Sequence, residues 1–260
     1  MAAIVGREPR VAVAAIVGPG AERVGAMKVL RTVAEVRAAL GGARRAGRVV
    51  GLIPTMGAFH EGHLSLMRRA REECGAVVVS LFVNPSQFTE AGDLAVYPRD
   101  ELRDAMLAAE VGVDHLFAPR HDEIYPPGFV TMVSTSGVAT TLEGAHRGHG
   151  HFDAVTTIVT KLFNIVSPDV AYFGRKDIQQ AHVIERVARD LNLAVRIAVC
   201  PTVREPDGLA MSSRNAYLTG DERAAAPVVH AALLVGRMAI DAGERDPARV
   251  RDLMADLIAA

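Results

Sequence analysis

The chain has 260 residues, half of them apolar and 23% charged, with a formal net charge of −1. Those proportions exclude general disorder, and the near-neutral charge leaves no basic footprint for nucleic acid or a membrane surface. Two cysteines, Cys74 and Cys200, cannot build a disulfide framework and fit a reducing, cytoplasmic setting.

Residues 1–26 read as an N-terminal extension. The apolar run at 11–17 is short and surrounded by Arg7, Glu8, Arg10, Glu22 and Arg23, unlike a secretory signal. A strand begins after Met27, and residues 30–40 carry apolar side chains at helical spacing, with Gly41-Gly42 as the stop. The run 48–54 predicts a strand, 63–73 a helix, and the β-branched run 76–83 a strand covered on both faces. A helix at 101–111 and strands near 113–117 and 130–133 follow. The second half alternates again, with helix 153–166, strand 170–173, helix 177–191 and strand 195–199. Strands alternating with helices of this length predict an α/β fold with a doubly wound parallel sheet, whose ligands lie at the carboxyl ends of the strands. After Val203 the pattern becomes polar, then helical at 221–241 and 246–259, as expected for a small C-terminal domain. The expected division is 1–26, 27–202 and 203–260. No apolar run approaches the roughly 20 residues of a membrane-spanning helix.

Four segments carry candidate chemistry. Pro54-Thr-Met-Gly-Ala-Phe-His60-Glu-Gly-His63 follows a strand and opens a helix, so its histidines share one face beside unpaired N–H groups that favour an anion. Gly57 permits a tight turn there, and Gly62 a close ligand approach. Taken alone, a His-x-x-His pair is more often a helix cap; with the strand and glycines it points to phosphate chemistry. The rival is zinc, with His146, His149 and His151 as further ligands, but the spacing is not His-x-x-x-His. Asn84-Pro-Ser-Gln87-Phe ends the second buried strand; by itself it reads as an ordinary turn. Tyr172-Phe-Gly174-Arg175-Lys176-Asp177 closes another strand, where Lys176 suits phosphate and Asp177 either accepts from ribose or caps the helix. Gly208-Leu-Ala-Met211-Ser212-Ser213-Arg214-Asn215 suits a closing phosphate clamp, or a plain linker.

The order of these segments resembles the nucleotidylyltransferase superfamily. Together with Tyr97-Pro-Arg99, Phe173-Gly-Arg-Lys-Asp-Ile-Gln-Gln180 and Pro201-Thr-Val-Arg-Glu-Pro-Asp-Gly-Leu-Ala-Met-Ser-Ser-Arg-Asn215, they resemble the pantoate–β-alanine ligase family over residues 27–243. The resemblance implies a Rossmann-like ATP-binding domain, a smaller C-terminal lid, a homodimer, and ATP-dependent joining of pantoate to β-alanine with Mg²⁺. It implies ATP contacts at Met56, Gly57, Ala58, Phe59, His60, Glu61, Gly62 and His63, with His60, His63 and Lys176 catalytic and His63 the acid. Further ATP contacts fall on Gly174, Arg175, Lys176, Asp177, Val203, Met211, Ser212, Ser213 and Arg214. Gln87 and Gln180 would hold pantoate, Asn84 would support that pocket, and Asp104 is a candidate magnesium ligand. Two departures stand out. The segment Arg147-Gly-His-Gly-His-Phe152 lacks the family's proline and is one residue longer, which leaves His151 unassigned. The chain also ends within a helical pattern, from which a shortened lid is expected.

Overall fold

The computed structural model describes residues 22–88 and 91–260. The apolar run at 11–17 therefore lies outside the described residues. The elements are β1 (Glu22–Val24), β2 (Met27–Leu30), α1 (Val33–Arg45), β3 (Val50–Thr55), α2 (Glu61–Glu73), β4 (Ala76–Leu81), α3 (Ala91–Val96), α4 (Glu101–Glu110), β5 (His115–Phe117) and α5 (His121–Ile124). Then come α6 (Glu143–Arg147), α7 (His149–Val166), β6 (Val170–Gly174), α8 (Ile178–Asp190), β7 (Arg196–Cys200), α9 (Gly220–Ala225), α10 (Val228–Asp241) and α11 (Pro247–Ala259).

The strands form one sheet in the order β1-β2-β5-β4-β3-β6-β7, parallel except for the edge strand β1. Successive strand residues feed opposite faces. Leu52, Val78, Ala171 and Phe173 join the core under α1, α7 and α8, while Ile53, Val77, Val79 and Tyr172 join the core under α2 and α4. Both faces are covered, which is why β3 and β4 read as unbroken apolar runs. From β3 the chain moves outward through β4 to β5, then returns with β6 to the other side of β3. The crevice of such a sheet opens where the order reverses, so the site lies at the ends of β3 and β6.

Several elements depart from expectation. The helix at 30–40 starts at Val33, capped by Thr32 and Glu35, and runs through Gly41-Gly42 to Arg45 because Val36, Leu40 and Ala43 bury its inner face. The expected strand at 130–133 does not form. Val130 is 90% exposed, and Val133 satisfies its backbone on side chains instead: its N–H donates to Thr157 Oγ1 and its carbonyl accepts from Thr156. Residues 22–24, within the expected extension, form strand β1. Helix 221–241 divides into α9 and α10, yet the joined segment Gly220–Asp241 has 22 residues and contains an 18-residue window of mean hydropathy 1.3, enough by length and composition to cross a membrane. The sequence exclusion of such a run is corrected accordingly. Here α10 packs on α11, with Gly236 opposite Met254 and Val250.

Candidate active site

After β3, residues 56–59 form a tight turn. Gly57 and Ala58 have φ of 89° and 54°, left-handed values that alanine adopts only under constraint. Asp104 of α4 supplies it. This carboxylate is 1% exposed, and its two oxygens accept from Ala58 N–H and Phe59 N–H at 2.7 Å each. A methyl group on Gly57 would stand 2.9 Å from Asp104 Oδ2. The Asp104 oxygens are thus committed to the backbone in a desolvated position, which does not fit a magnesium ligand. The carboxylate holds the turn.

The turn delivers His60 as the N-cap of α2. His60 Nδ1 accepts from Gly62 N–H at 3.1 Å, and His63 Nδ1 accepts from His60 N–H at 3.4 Å. With each Nδ1 accepting, the proton of each neutral ring sits on Nε2. The ring centroids are 4.2 Å apart. Burial, then His60 and Lys176, push His63 down to about 3, and burial with Lys176 lowers His60. At pH 7 His63 therefore offers a hydrogen bond rather than a transferable proton. At Gly62 a Cβ would meet the His60 ring at 2.8 Å, so the missing side chain makes room for the cap.

The end of β6 leads through residues 175–177 into α8. Lys176 Nζ donates to Asp177 Oδ1 at 3.1 Å, and its charge reaches both imidazoles. Asp177 makes no capping bond to α8. Gly174 leaves open space where a side chain would be, and Arg175 is exposed. Between the two junctions lies a cavity of about 170 Å³. Thr55, Ser80, Gln87, Asp177 and Gln180 give it polar edges, and Phe82, Val155, Ile158, Val159, Leu162 and Phe173 an apolar wall beside Met56. Such a cavity suits a small branched molecule bearing hydrogen-bonding oxygens. Two wider grooves of about 410 and 540 Å³ flank α8 and are lined by none of His60, His63, Lys176 or Gln87.

The segment after Val203 docks beside the first junction. Met211 N–H donates to the Val203 carbonyl at 3.0 Å, and Met211 Cβ is the third atom near Gly62. Ser212 Oγ accepts from Arg214 N–H, Ser213 meets the Tyr97 hydroxyl at 3.4 Å, and Arg214 pairs with Asp93 at 2.8 Å. The Arg214 guanidinium also lies 5.6 Å from the Tyr97 ring centroid. The expected clamp arginine is thus held by a carboxylate. Glu61 points outward and pairs with Arg68, and Phe59 belongs to the core, so either can meet a ligand at the turn only through its backbone.

Sequence reasoning left out Asp93 and Tyr125 and gave His151 no role in the ligase reading. His151 Nδ1 lies 3.2 Å from the Gln87 carbonyl; Gly148, at φ 84°, separates α6 from α7. Among the described residues no three His, Cys, Asp or Glu side chains gather to hold a metal ion, so the zinc reading finds no ligand set there.

The family model for pantoate-beta-alanine ligase matches residues 28–259. The chain is 54% identical over 234 residues to pantothenate synthetase from Heliobacterium modesticaldum, covering 90% of this chain and 83% of the relative. The crystal structure of pantothenate synthetase from Thermus thermophilus superposes with a TM-score of 0.84 at 47% identity, covering 90% of this chain and 82% of that one. Pantoate-beta-alanine ligase from Francisella tularensis, complexed with beta-gamma ATP and beta-alanine, gives a TM-score of 0.77 at 33% identity, covering 89% and 86%.

Proposed function

This chain belongs to the pantoate–β-alanine ligase family, and from that premise we propose that it makes pantothenate through a pantoyl-adenylate, releasing AMP and pyrophosphate. The observation that carries the reading is the convergence of the His60–His63 pair and Lys176 beside a cavity edged by Gln87 and Gln180. ATP lies along residues 56–63, 174–177 and 211–214 with the backbone of Val203, and pantoate fills the cavity. β-Alanine enters beside Gln87. The enzyme works in the cytoplasm as a homodimer.

The chemistry follows from charge. Pantoate's carboxylate has to attack the α-phosphorus of a polyanion, and the transition state gathers further negative charge on the phosphate oxygens. Lys176 and the two Nε2–H groups answer that charge as donors already at the junctions, and Arg214 joins them on exchanging Asp93 for phosphate. The apolar wall holds the branched carbon skeleton, and the neutral amine of β-alanine then attacks the mixed anhydride with AMP as leaving group. Shielding that anhydride from water is the task of residues 203–260. Mg²⁺ would come with ATP and offset its negative charge, while Asp104 stays committed to the turn.

The test is AMP and pyrophosphate formation that requires pantoate, with pantothenate appearing only when β-alanine is added. His63→Ala and Lys176→Ala should each lower kcat about 10²–10³-fold, the usual loss for one transition-state donor. AMP formation indifferent to pantoate would overturn the reading, and full activity in both variants would overturn the assigned roles.

A further inference from the structure

A chain of hydrogen bonds through the buried Asn84 reaches Gln87 at the cavity edge, beginning at a tyrosine that lines a different cleft. Tyr125 follows α5 and lies among Phe82, His121 and Phe129, with ring centroids 6.1, 5.4 and 5.1 Å away. Its hydroxyl donates to Asn84 Oδ1 at 3.1 Å. Asn84 is completely buried, and its Nδ2 donates to the Ala154 carbonyl at 3.3 Å and to Gln87 Oε1 at 3.0 Å. The Ala154 carbonyl can only accept, so it fixes which end of the Asn84 amide carries the nitrogen. Tyr125 then satisfies the remaining oxygen, and Asn84 in turn occupies the Gln87 oxygen. What remains of Gln87 for the cavity is its amide nitrogen, a donor.

We propose that Tyr125 is a positioning residue: through Asn84 it sets the Gln87 side chain with its N–H groups towards the cavity, which selects a ligand presenting oxygen acceptors. The inference rests on the proposed function for the ligand, pantoate, whose carboxylate and hydroxyl oxygens match such a donor. Without the tyrosine hydroxyl, Asn84 Oδ1 is a buried acceptor with no partner; turning the Asn84 amide over gives up the bond to the Ala154 carbonyl and sets Oδ1 against Gln87 Oε1, so Gln87 turns over in response and puts its oxygen in front of the ligand's oxygens.

The test compares pantoate affinity by calorimetry, in the presence of a non-hydrolysable ATP analogue, for wild type, Tyr125→Phe, Gln87→Ala and the double variant. Tyr125→Phe should weaken pantoate about 10-fold and leave analogue affinity within twofold. In the Gln87→Ala background the same change should alter pantoate affinity less than twofold, because the group it orients is gone. Pantoate affinity unchanged in Tyr125→Phe, or an equal loss in both backgrounds, overturns the relay. Should Tyr125→Phe fail to fold, Asn84→Asp carries the test. An aspartate offers only acceptors, so it should turn the Gln87 amide over and remove pantoate binding while the analogue still binds; unaltered pantoate binding overturns the proposal. Wild type that binds the analogue but no pantoate refutes the proposed function instead.

Discussion

His63 shows how a position in the chain becomes a chemical property. Its place three residues after an N-cap histidine puts its Nδ1 against the His60 N–H, and burial beside His60 and Lys176 keeps the ring neutral down to about pH 3. The sequence made the pair visible as anion-binding donors, but the neutrality of the ring depends on burial and on a lysine 113 positions away, neither of which local spacing carries. An unfolded chain protonates this imidazole near the ordinary 6.5, so between pH 6.5 and about 3 the unfolded state holds the extra proton. Stability contributed above pH 6.5 should therefore drain away as the pH falls towards 3. His63→Gln should flatten that part of the curve in urea unfolding followed at several pH values; an unchanged acid limb would show that His63 is not the group responsible. Asp104 teaches the same lesson from the other side. A carboxylate near a phosphate motif invites a metal assignment, whereas its contacts make it the acceptor for two backbone donors of the turn.

At the scale of elements, glycine was the least reliable guide, because its meaning depends on what packs beside it. Gly41-Gly42 reads as a helix stop, yet α1 continues because the core face on either side gains more by burial than two glycines cost, about 1 kcal/mol each. Gly57 reads as a turn residue and is one, for a reason that includes Asp104. The two sites predict opposite outcomes in thermal or urea unfolding. Gly42 has no neighbour within 4 Å of an added Cβ, so Gly42→Ala should stabilise by about 0.5–1 kcal/mol through the unfolded chain. Gly57→Ala combines a φ of 89° with a 2.9 Å approach to Asp104 and should destabilise by about 1–3 kcal/mol, with a larger loss in ATP turnover. The strand expected at 130–133 failed for a related reason. Alternating apolar residues promise a strand only where a neighbouring edge is free, and here Thr156 and Thr157 hold the backbone of Val133.

Across the whole molecule, the alternation of strands and helices was enough to indicate a two-faced parallel sheet, and the ends of β3 and β6 follow from it as the place to look. The strand order that makes them adjacent, and the docking of residues 211–217 against a distant segment, depend on contacts that no local pattern contains. That docking rests on Arg214 with Asp93, Ser213 with Tyr97, and the Tyr217 hydroxyl on the Val96 carbonyl. A guanidinium paired with one carboxylate cannot also serve a triphosphate at full strength, so nucleotide binding has to exchange Asp93 for phosphate oxygens. The exchange loosens the contact with Asp93 and ties the segment to ligand beside Met211 and Gly62. Amide hydrogen exchange should therefore change at residues 211–217 when ATP is added, and the change should vanish in Arg214→Ala. If exchange there is identical with and without nucleotide, while ATP demonstrably binds, the segment is a fixed wall of the site and Arg214 stays with Asp93 throughout.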